Sequence, residues 1–313
     1  MIISASRKTD IPAYYSEWFM NRIKEGFVCS RNPLNAHQIS KIPLNSDVVD
    51  CIVFWTKNPI PMIPKLDELN GYNYYFQFTL TGYGKDMEAN LPDKKETLIP
   101  AFRELSEKIG PERVIWRYDP IAFNERYTEK YHLKAFDQIA SELKGHTNKC
   151  VISFIDMYQK IQKNMESMHI IEKADENLYS FAEKLYEIAT ANNMVLATCA
   201  EKIDLTPIGI EHNACIDKAV IEEICGGTIK AKKDPSQRLE CQCVESRDIG
   251  SYNTCANACR YCYANHSEKA VKNNMIIYNP QSPILCDSID EKNGDRINEV
   301  KAKSLIDRQV SLF

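Results

Sequence analysis

The sequence predicts an α/β fold, a partial or complete parallel (β/α) barrel followed by a C-terminal cysteine-rich, cluster-binding segment. Three observations point there. Six short apolar runs, rich in β-branched and aromatic residues, alternate with longer stretches of helical period, as parallel strands joined by right-handed crossovers do. Nearly every run ends in polar, chemically able residues, and in barrels the C-terminal rim of the strands carries function. From about residue 205 the alternation stops, and five of the twelve cysteines fall between Cys241 and Cys262.

The elements follow in order. The first strand, residues 1–6, runs into Arg7-Lys8-Thr9-Asp10. Residues 12–24 form a helix with Tyr15, Phe19 and Ile23 on one face, and Gly26 follows as its C-cap. The second strand, 48–55, ends in Trp55-Thr56-Lys57-Asn58, and the third, 74–80, contains Gln77 and Thr79. Helix 95–109 repeats apolar residues at Leu98, Phe102, Leu105 and Ile109. The fourth strand, 113–116, leads into Arg117-Tyr118-Asp119-Pro120. Thr128 N-caps a helix through 143, with Leu133, Phe136, Ile139 and Leu143 inward and Gly145 beyond its end. The fifth strand, 150–155, ends at Asp156. Helix 176–191 carries Leu178, Phe181, Leu185 and Ile188, and the sixth strand, 194–199, gives Cys199-Ala200-Glu201. A short helix at 218–225 is broken by Gly226-Gly227. Residues 1–205 are thus the barrel core, and 206–313 a cysteine-bearing segment and tail packed on it.

Composition bounds the function. The 313 residues, 44% hydrophobic and 26% charged, suffice for one large domain, or one with a small appendage. A net charge of −4 and a pI of about 6.0 supply no global basic field for nucleic acid or a membrane surface. No stretch approaches ~18 uninterrupted apolar residues, and residues 1–10 lack a signal peptide's basic start and long apolar stretch. Twelve cysteines without a secretion signal imply a reducing cytoplasm and thiolate chemistry rather than disulfides.

Three constellations carry chemistry. Arg7, Lys57, Gln77, Arg117, Asp156 and Glu201 fall at strand ends, where they would ring one polar mouth; singly, each is as readily a buried ion-pair partner. Cys255, Cys259 and Cys262 are spaced C-x3-C-x2-C, with Tyr261 directly before the last. Thiolates so spaced on a tight loop converge on one face of an iron–sulfur cube, and three ligands for four irons leave one iron open to a small molecule. Zinc is the alternative, with His266 completing a set of three cysteines, although structural zinc sites usually show paired C-x2-C spacing. Cys241 and Cys243, with Cys199 and Cys215, form a further metal-ligand set for a second cluster or a zinc. Against this, Cys199 and Cys215 also suit a role as small buried residues. Cys29, Cys51, Cys150, Cys225 and Cys286 lack partner spacing and read as core or incidental.

The motif Cys255-x3-Cys259-x-Tyr261-Cys262-Tyr263 resembles that of radical S-adenosylmethionine (SAM) enzymes, and Tyr263 resembles the spore photoproduct lyase branch. Over about the whole chain the sequence resembles the DUF1848 family. The resemblance rests on Ser4-Ala-Ser-Arg-Lys-Thr-Asp10, Phe54-Trp-Thr-Lys-Asn-Pro59, Phe76-Gln-Phe-Thr-Leu80, Ile115-Trp-Arg-Tyr-Asp-Pro120, Cys215-Ile-Asp217 and the cysteine segment. That family's function is unknown. The resemblance implies a radical-SAM/TIM-like barrel with a [4Fe-4S] cluster on Cys255, Cys259 and Cys262, with Tyr261 beside it. It also implies SAM as the bound small molecule and an electron donor such as flavodoxin or ferredoxin. In that chemistry SAM chelates the open iron, takes one electron and yields methionine and a 5′-deoxyadenosyl radical, which abstracts hydrogen from a substrate the sequence does not name. On the same implication Arg7, Lys57 and Arg117 clamp the SAM carboxylate or an anionic substrate. Gln77 and Thr79 then bond ribose hydroxyls, while Asp156 and Glu201 accept from an amine or hydroxyl. Two features depart from the radical SAM pattern. The motif follows the last barrel unit instead of the first strand, and no Gly-Gly-Glu follows the second strand. The rival reading is a non-catalytic zinc or iron–sulfur protein in a nucleic-acid-associated role.

The last residues, Gln309-Val310-Ser311-Leu312-Phe313, resemble the peptide by which bacterial proteins dock on the DNA polymerase sliding clamp. Leu312 and Phe313 would fill an apolar pocket, with Gln309 bonding at its edge. The alternative is a tail that packs its Leu and Phe on its own domain.

Overall fold

The computed structural model describes residues 1–156 and 161–307. Its strands are β1 (Ile2–Ala5), β2 (Phe27–Asn32), β3 (Asn35–Pro43), β4 (Cys51–Thr56), β5 (Tyr74–Thr79), β6 (Val114–Ile121), β7 (Lys149–Phe154), β8 (Val195–Cys199), β9 (Glu211–Asn213), β10 (Arg247–Asp248) and β11 (Arg296–Glu299). Its helices are α1 (Ile11–Tyr14), α2 (Ser16–Glu25), α3 (Ile99–Ile109), α4 (Glu129–Leu143), α5 (Gln162–Ser167), α6 (Asp175–Ala191), α7 (Lys218–Cys225) and α8 (Glu268–Ile276).

Eight strands form one wholly parallel sheet in the order β10-β1-β4-β5-β6-β7-β8-β9. The six runs expected from the sequence are β1 and β4 to β8. The fourth is longer than expected, because the alternation of Trp116 and Tyr118 with Arg117 continues the strand to Ile121. From β1 to β9 the order follows the chain, without the reversal that marks a doubly wound sheet. Among the described residues no ladder joins the edge strands β9 and β10, so hydrogen bonding does not close the sheet into a barrel. Both edges come from beyond residue 205.

Alternate side chains divide the strands between two cores. On one face Ile3, Ile52, Phe54, Phe76 and Trp116 pack against Trp18 and Phe19 of α2, Phe102 of α3, Phe136 of α4 and Phe181 and Leu185 of α6. On the other face Ile2, Cys51, Val53, Tyr75, Ile115 and Val151 meet Cys215, Ile216, Ile221, Ile229, Cys241, Cys243 and Val244. Helices cover one face, and the C-terminal segment covers the other. This two-sided burial explains why the strands read as largely apolar runs rather than alternating ones.

Local chemistry sets the helix ends. The helix expected at 12–24 is two pieces, broken at Tyr15 (φ −133°), whose buried hydroxyl donates to the Thr254 carbonyl. Gly26, at φ 75°, caps α2 in the left-handed region. Thr128 accepts from the Tyr131 N–H and caps α4, while one π turn, Lys94–Leu98, precedes α3. Outside the main sheet, the β2–β3 hairpin pairs with β11 and is tied down by Arg31, bonded to Asp287 at 2.6 Å and Asp295 at 2.8 Å. Among the described residues no helix is long and apolar enough to cross a membrane.

Candidate functional site

A cavity of about 810 Å³ opens at the C-terminal ends of the parallel strands. That volume falls in the range of small-molecule sites. Arg7 after β1, Lys57 after β4, Arg117 and Asp119 on β6, Asp156 after β7 and Cys199 on β8 line it. The covering segment adds Cys215, Cys241, Cys243, Cys255, Cys259, Tyr261 and Cys262, so seven of the twelve cysteines share one cavity.

Four of the six expected rim residues line this mouth: Arg7, Lys57, Arg117 and Asp156. Gln77 and Glu201 do not. Gln77 is fully buried and donates from Nε2 to the Cys215 carbonyl at 2.9 Å, holding the covering segment instead of a ligand. Glu201 accepts the Phe154 N–H at 2.8 Å, and burial pushes its carboxyl up to about 8. Asp156 accepts from Arg238.

Lys57 is bonded at Nζ to Glu88 at 2.7 Å and to the Tyr261 hydroxyl at 2.8 Å. Glu88, 1% exposed, also accepts from Lys94, from Tyr261 and from Thr81. Burial alone would raise the Glu88 carboxyl, but the charges of Lys57 and Lys94 outweigh it and hold it at about 2. Backbone contacts of Glu88 with Cys259, and of the Arg260 N–H with Met87 O at 3.0 Å, dock the cysteine loop on the same spot.

Asp10 is the second anchor. It accepts from Thr56 Oγ1 (2.7 Å), the Lys57 N–H (2.8 Å), Asn257 Nδ2 (3.1 Å) and the Ala13 N–H (3.1 Å). One carboxylate therefore joins the start of α1, the end of β4 and the cysteine loop. Glu88, Lys94 and Asn257 escaped the sequence reading because each gains meaning only from partners far along the chain.

Arg117 is bonded through Nε to Asp119 at 3.0 Å and through Nη1 to Cys215 Sγ at 2.8 Å. Arg7 differs. Its guanidinium rests 5.5 Å from the Trp55 ring centre, Asp234 is 3.9 Å away, and among the described residues its buried Nη2 has no hydrogen-bond partner. A buried donor left unmatched beside a cavity suits an anionic ligand.

Burial pushes the Cys255 thiol well above its ordinary range, Cys262 up, and Cys259 up to about 12 while Lys57 pulls it down. Among the described residues no three His, Cys, Asp or Glu side chains converge closely enough, as they stand, to hold one metal ion. A cubane sets a weaker demand, since its thiolates bind separate irons and stand farther apart. Three soft thiols on one loop, opening into one cavity beside a cation, fit it. His266, proposed to complete a zinc set, is not among the cavity's lining residues; its ring lies 5.9 Å from that of Tyr252. The tail with Gln309, Ser311, Leu312 and Phe313 lies outside the described residues.

A family model described as a domain of unknown function (DUF1848) matches residues 2–264, from β1 to the end of the cysteine loop. No curated protein and no solved structure matches the chain.

Proposed function

For this chain, which belongs to the DUF1848 family, we propose an iron–sulfur enzyme of the radical SAM type, built on a partial (β/α) barrel. The observation that carries the reading is the meeting of Cys255, Cys259, Cys262 and Tyr261 with Arg7 and Lys57 in one cavity at the strands' C-terminal ends. Strand order supports it further. The cysteine motif lies late in the chain, but it follows β10, the strand that pairs in parallel with β1 at the sheet edge. In space, then, the motif follows the first strand of the row, as in the family whose motif it resembles.

Cys255, Cys259 and Cys262 would hold a [4Fe-4S] cluster, which when bound would supply the single electron for reductive cleavage of SAM. Each protein residue has a task. Lys57 sets a fixed cation beside Cys259 and favours its thiolate. Tyr261 and the Glu88 network hold the loop in register. Arg7 offers its Nη2, unmatched among the described residues, to a carboxylate. Trp55, Phe154, Ile155 and Ile161 give the cavity an apolar wall.

Anaerobic reconstitution tests the reading. The protein is expected to take up iron and sulfide in roughly 4:4 multiples, by analogy with cubane clusters, and with dithionite and SAM to release 5′-deoxyadenosine. Zinc alone, or a cluster that leaves SAM intact under every reductant, refutes it.

A further inference from the structure

Four more thiols meet in the same cavity, apart from the cysteine loop. Cys199 ends β8, Cys215 follows β9, and Cys241 and Cys243 stand two residues apart in the segment that covers the inner face. Cys199 Sγ lies 3.1 Å from Cys215 Sγ. Cys215, Cys241 and Cys243 pack in one buried cluster with Cys199 against it, and all four line the cavity. Three distant parts of the chain thus bring four soft donors into one cluster. Arg117 donates to Cys215 Sγ at 2.8 Å, and the Ile216 N–H to Cys243 Sγ at 3.3 Å. Simple core packing does not ask for a guanidinium against sulfur, because a buried cation gains little from a neutral thiol and much from a thiolate.

We propose that Cys199, Cys215, Cys241 and Cys243 form a tetrathiolate site for one soft divalent ion, zinc or iron(II), distinct from the set Cys255, Cys259 and Cys262. Sulfur spacing favours a single ion over a second cubane. A metal–sulfur bond of about 2.3 Å gives tetrahedral sulfur–sulfur edges of roughly 3.8 Å. The Cys199–Cys215 separation of 3.1 Å is near that edge and far inside the spread of a cubane's ligands. Among the described residues no such sulfur–sulfur contact joins Cys255, Cys259 and Cys262. Among the described residues no three donors yet surround one point. Binding draws the four together, and each thiol yields its proton to solvent. A divalent ion among four thiolates keeps a net negative charge, part of which Arg117, shared with Asp119, offsets. The inference goes beyond the loop cluster and stands without it.

The test uses the full chain with Cys255, Cys259 and Cys262 all changed to Ala, so that the loop set is gone. Loaded with zinc or iron(II) and desalted anaerobically, it is expected to keep about one ion per chain, with no acid-labile sulfide, in line with a four-thiolate site. Cobalt(II) should give thiolate-to-metal charge-transfer absorption. Cys241→Ser and Cys243→Ser in that background should each weaken binding by more than the ~10–100-fold that loss of an outer-shell partner costs, and Cys150→Ala should leave it unchanged. Alkylation of the unsubstituted chain with and without zinc, read by mass spectrometry, gives a check that needs no variant to fold: Cys199, Cys215, Cys241 and Cys243 should be protected together. No bound ion, iron accompanied by sulfide, unchanged affinity in both serine variants, or a protected set lacking these four would each overturn the proposal. Loss of SAM cleavage with this site intact would instead count against the loop cluster alone.

Discussion

At His132 burial outweighs hydrogen bonding. The ring is fully buried, with Nε2 3.0 Å from the Ala122 carbonyl and Nδ1 2.9 Å from the Tyr118 hydroxyl. A neutral ring with its proton on Nε2 satisfies both partners. Desolvation holds its pKa at about 4, against an ordinary 6.5. Between those values the unfolded chain binds the extra proton, so stability is full above about pH 6.5 and falls as pH drops toward 4. The shift is worth on the order of 3 kcal/mol. Denaturant unfolding should therefore show a smaller loss between pH 7 and pH 4.5 in His132→Phe than in the parent, by on the order of 2–3 kcal/mol; equal losses would remove His132 from the account. The rim residues divide by the same logic of partners. Arg117→Met strands Asp119 and should cost about 3–5 kcal/mol of stability. Arg7→Met loses little packing and should fold, while its affinity for SAM drops by roughly tenfold or more, the worth of one charge-assisted bond. An Arg7 variant that unfolds, or one that binds SAM as before, would end its assignment to a ligand. From sequence alone Arg7, Lys57 and Arg117 look alike, since each is a cation at a strand end. Glu88 and Asp119, which engage two of them, set the difference, and Glu88 carries no motif.

Elements were legible where one short stretch decides them. The strands β1 and β4 to β8 are buried on both faces over most of their length, so each reads as a mainly apolar run. The caps at Thr128 and Gly26 are side-chain and backbone events within one turn. Both can be checked. Thr128→Ala removes the acceptor for the Tyr131 N–H and should cost about 1 kcal/mol. Gly26→Ala should cost at least ~1 kcal/mol, because a Cβ there sits at φ 75° and meets Asn45 Oδ1 at 2.6 Å. Thermal or urea unfolding reads both, and a neutral Gly26→Ala would mean that Asn45 swings away and the backbone there leaves the left-handed region without cost. The hairpin β2–β3 and strands β9, β10 and β11 were missed for a physical reason. The hairpin is half exposed and polar along Asn35–Pro43, and β10 has only two residues. Their pairing depends on distant partners: Asp248 of β10 is held by Ser4 Oγ at 2.6 Å, Ser6 Oγ at 2.8 Å and the Arg7 N–H at 2.9 Å.

The whole molecule has one face closed by local sequence and one closed from afar. The helical side is secured by large aromatic residues spaced at helical period. The inner side relies on residues 214–264, whose apolar content is modest and whose sulfur content is high. This segment is held largely by polar contacts, among them Tyr75 and Gln77 on the Cys215 carbonyl, Asn257 on Asp10, and Asn90 on the Ala256 carbonyl at 2.8 Å. Such a cover opens locally more easily than a packed helical layer. Ions that bind only its closed form then stabilise it by mass action. Reconstitution with iron, sulfide and zinc should slow hydrogen exchange most in residues 241–264 and in β1, to which they are bonded through Asp248. The amides of α4 and α6, on the opposite face, lie under a packed aromatic layer and should change less. If exchange in 241–264 is the same before and after loading, neither thiol set takes a metal in the folded chain, and the cysteines of this cavity serve packing alone.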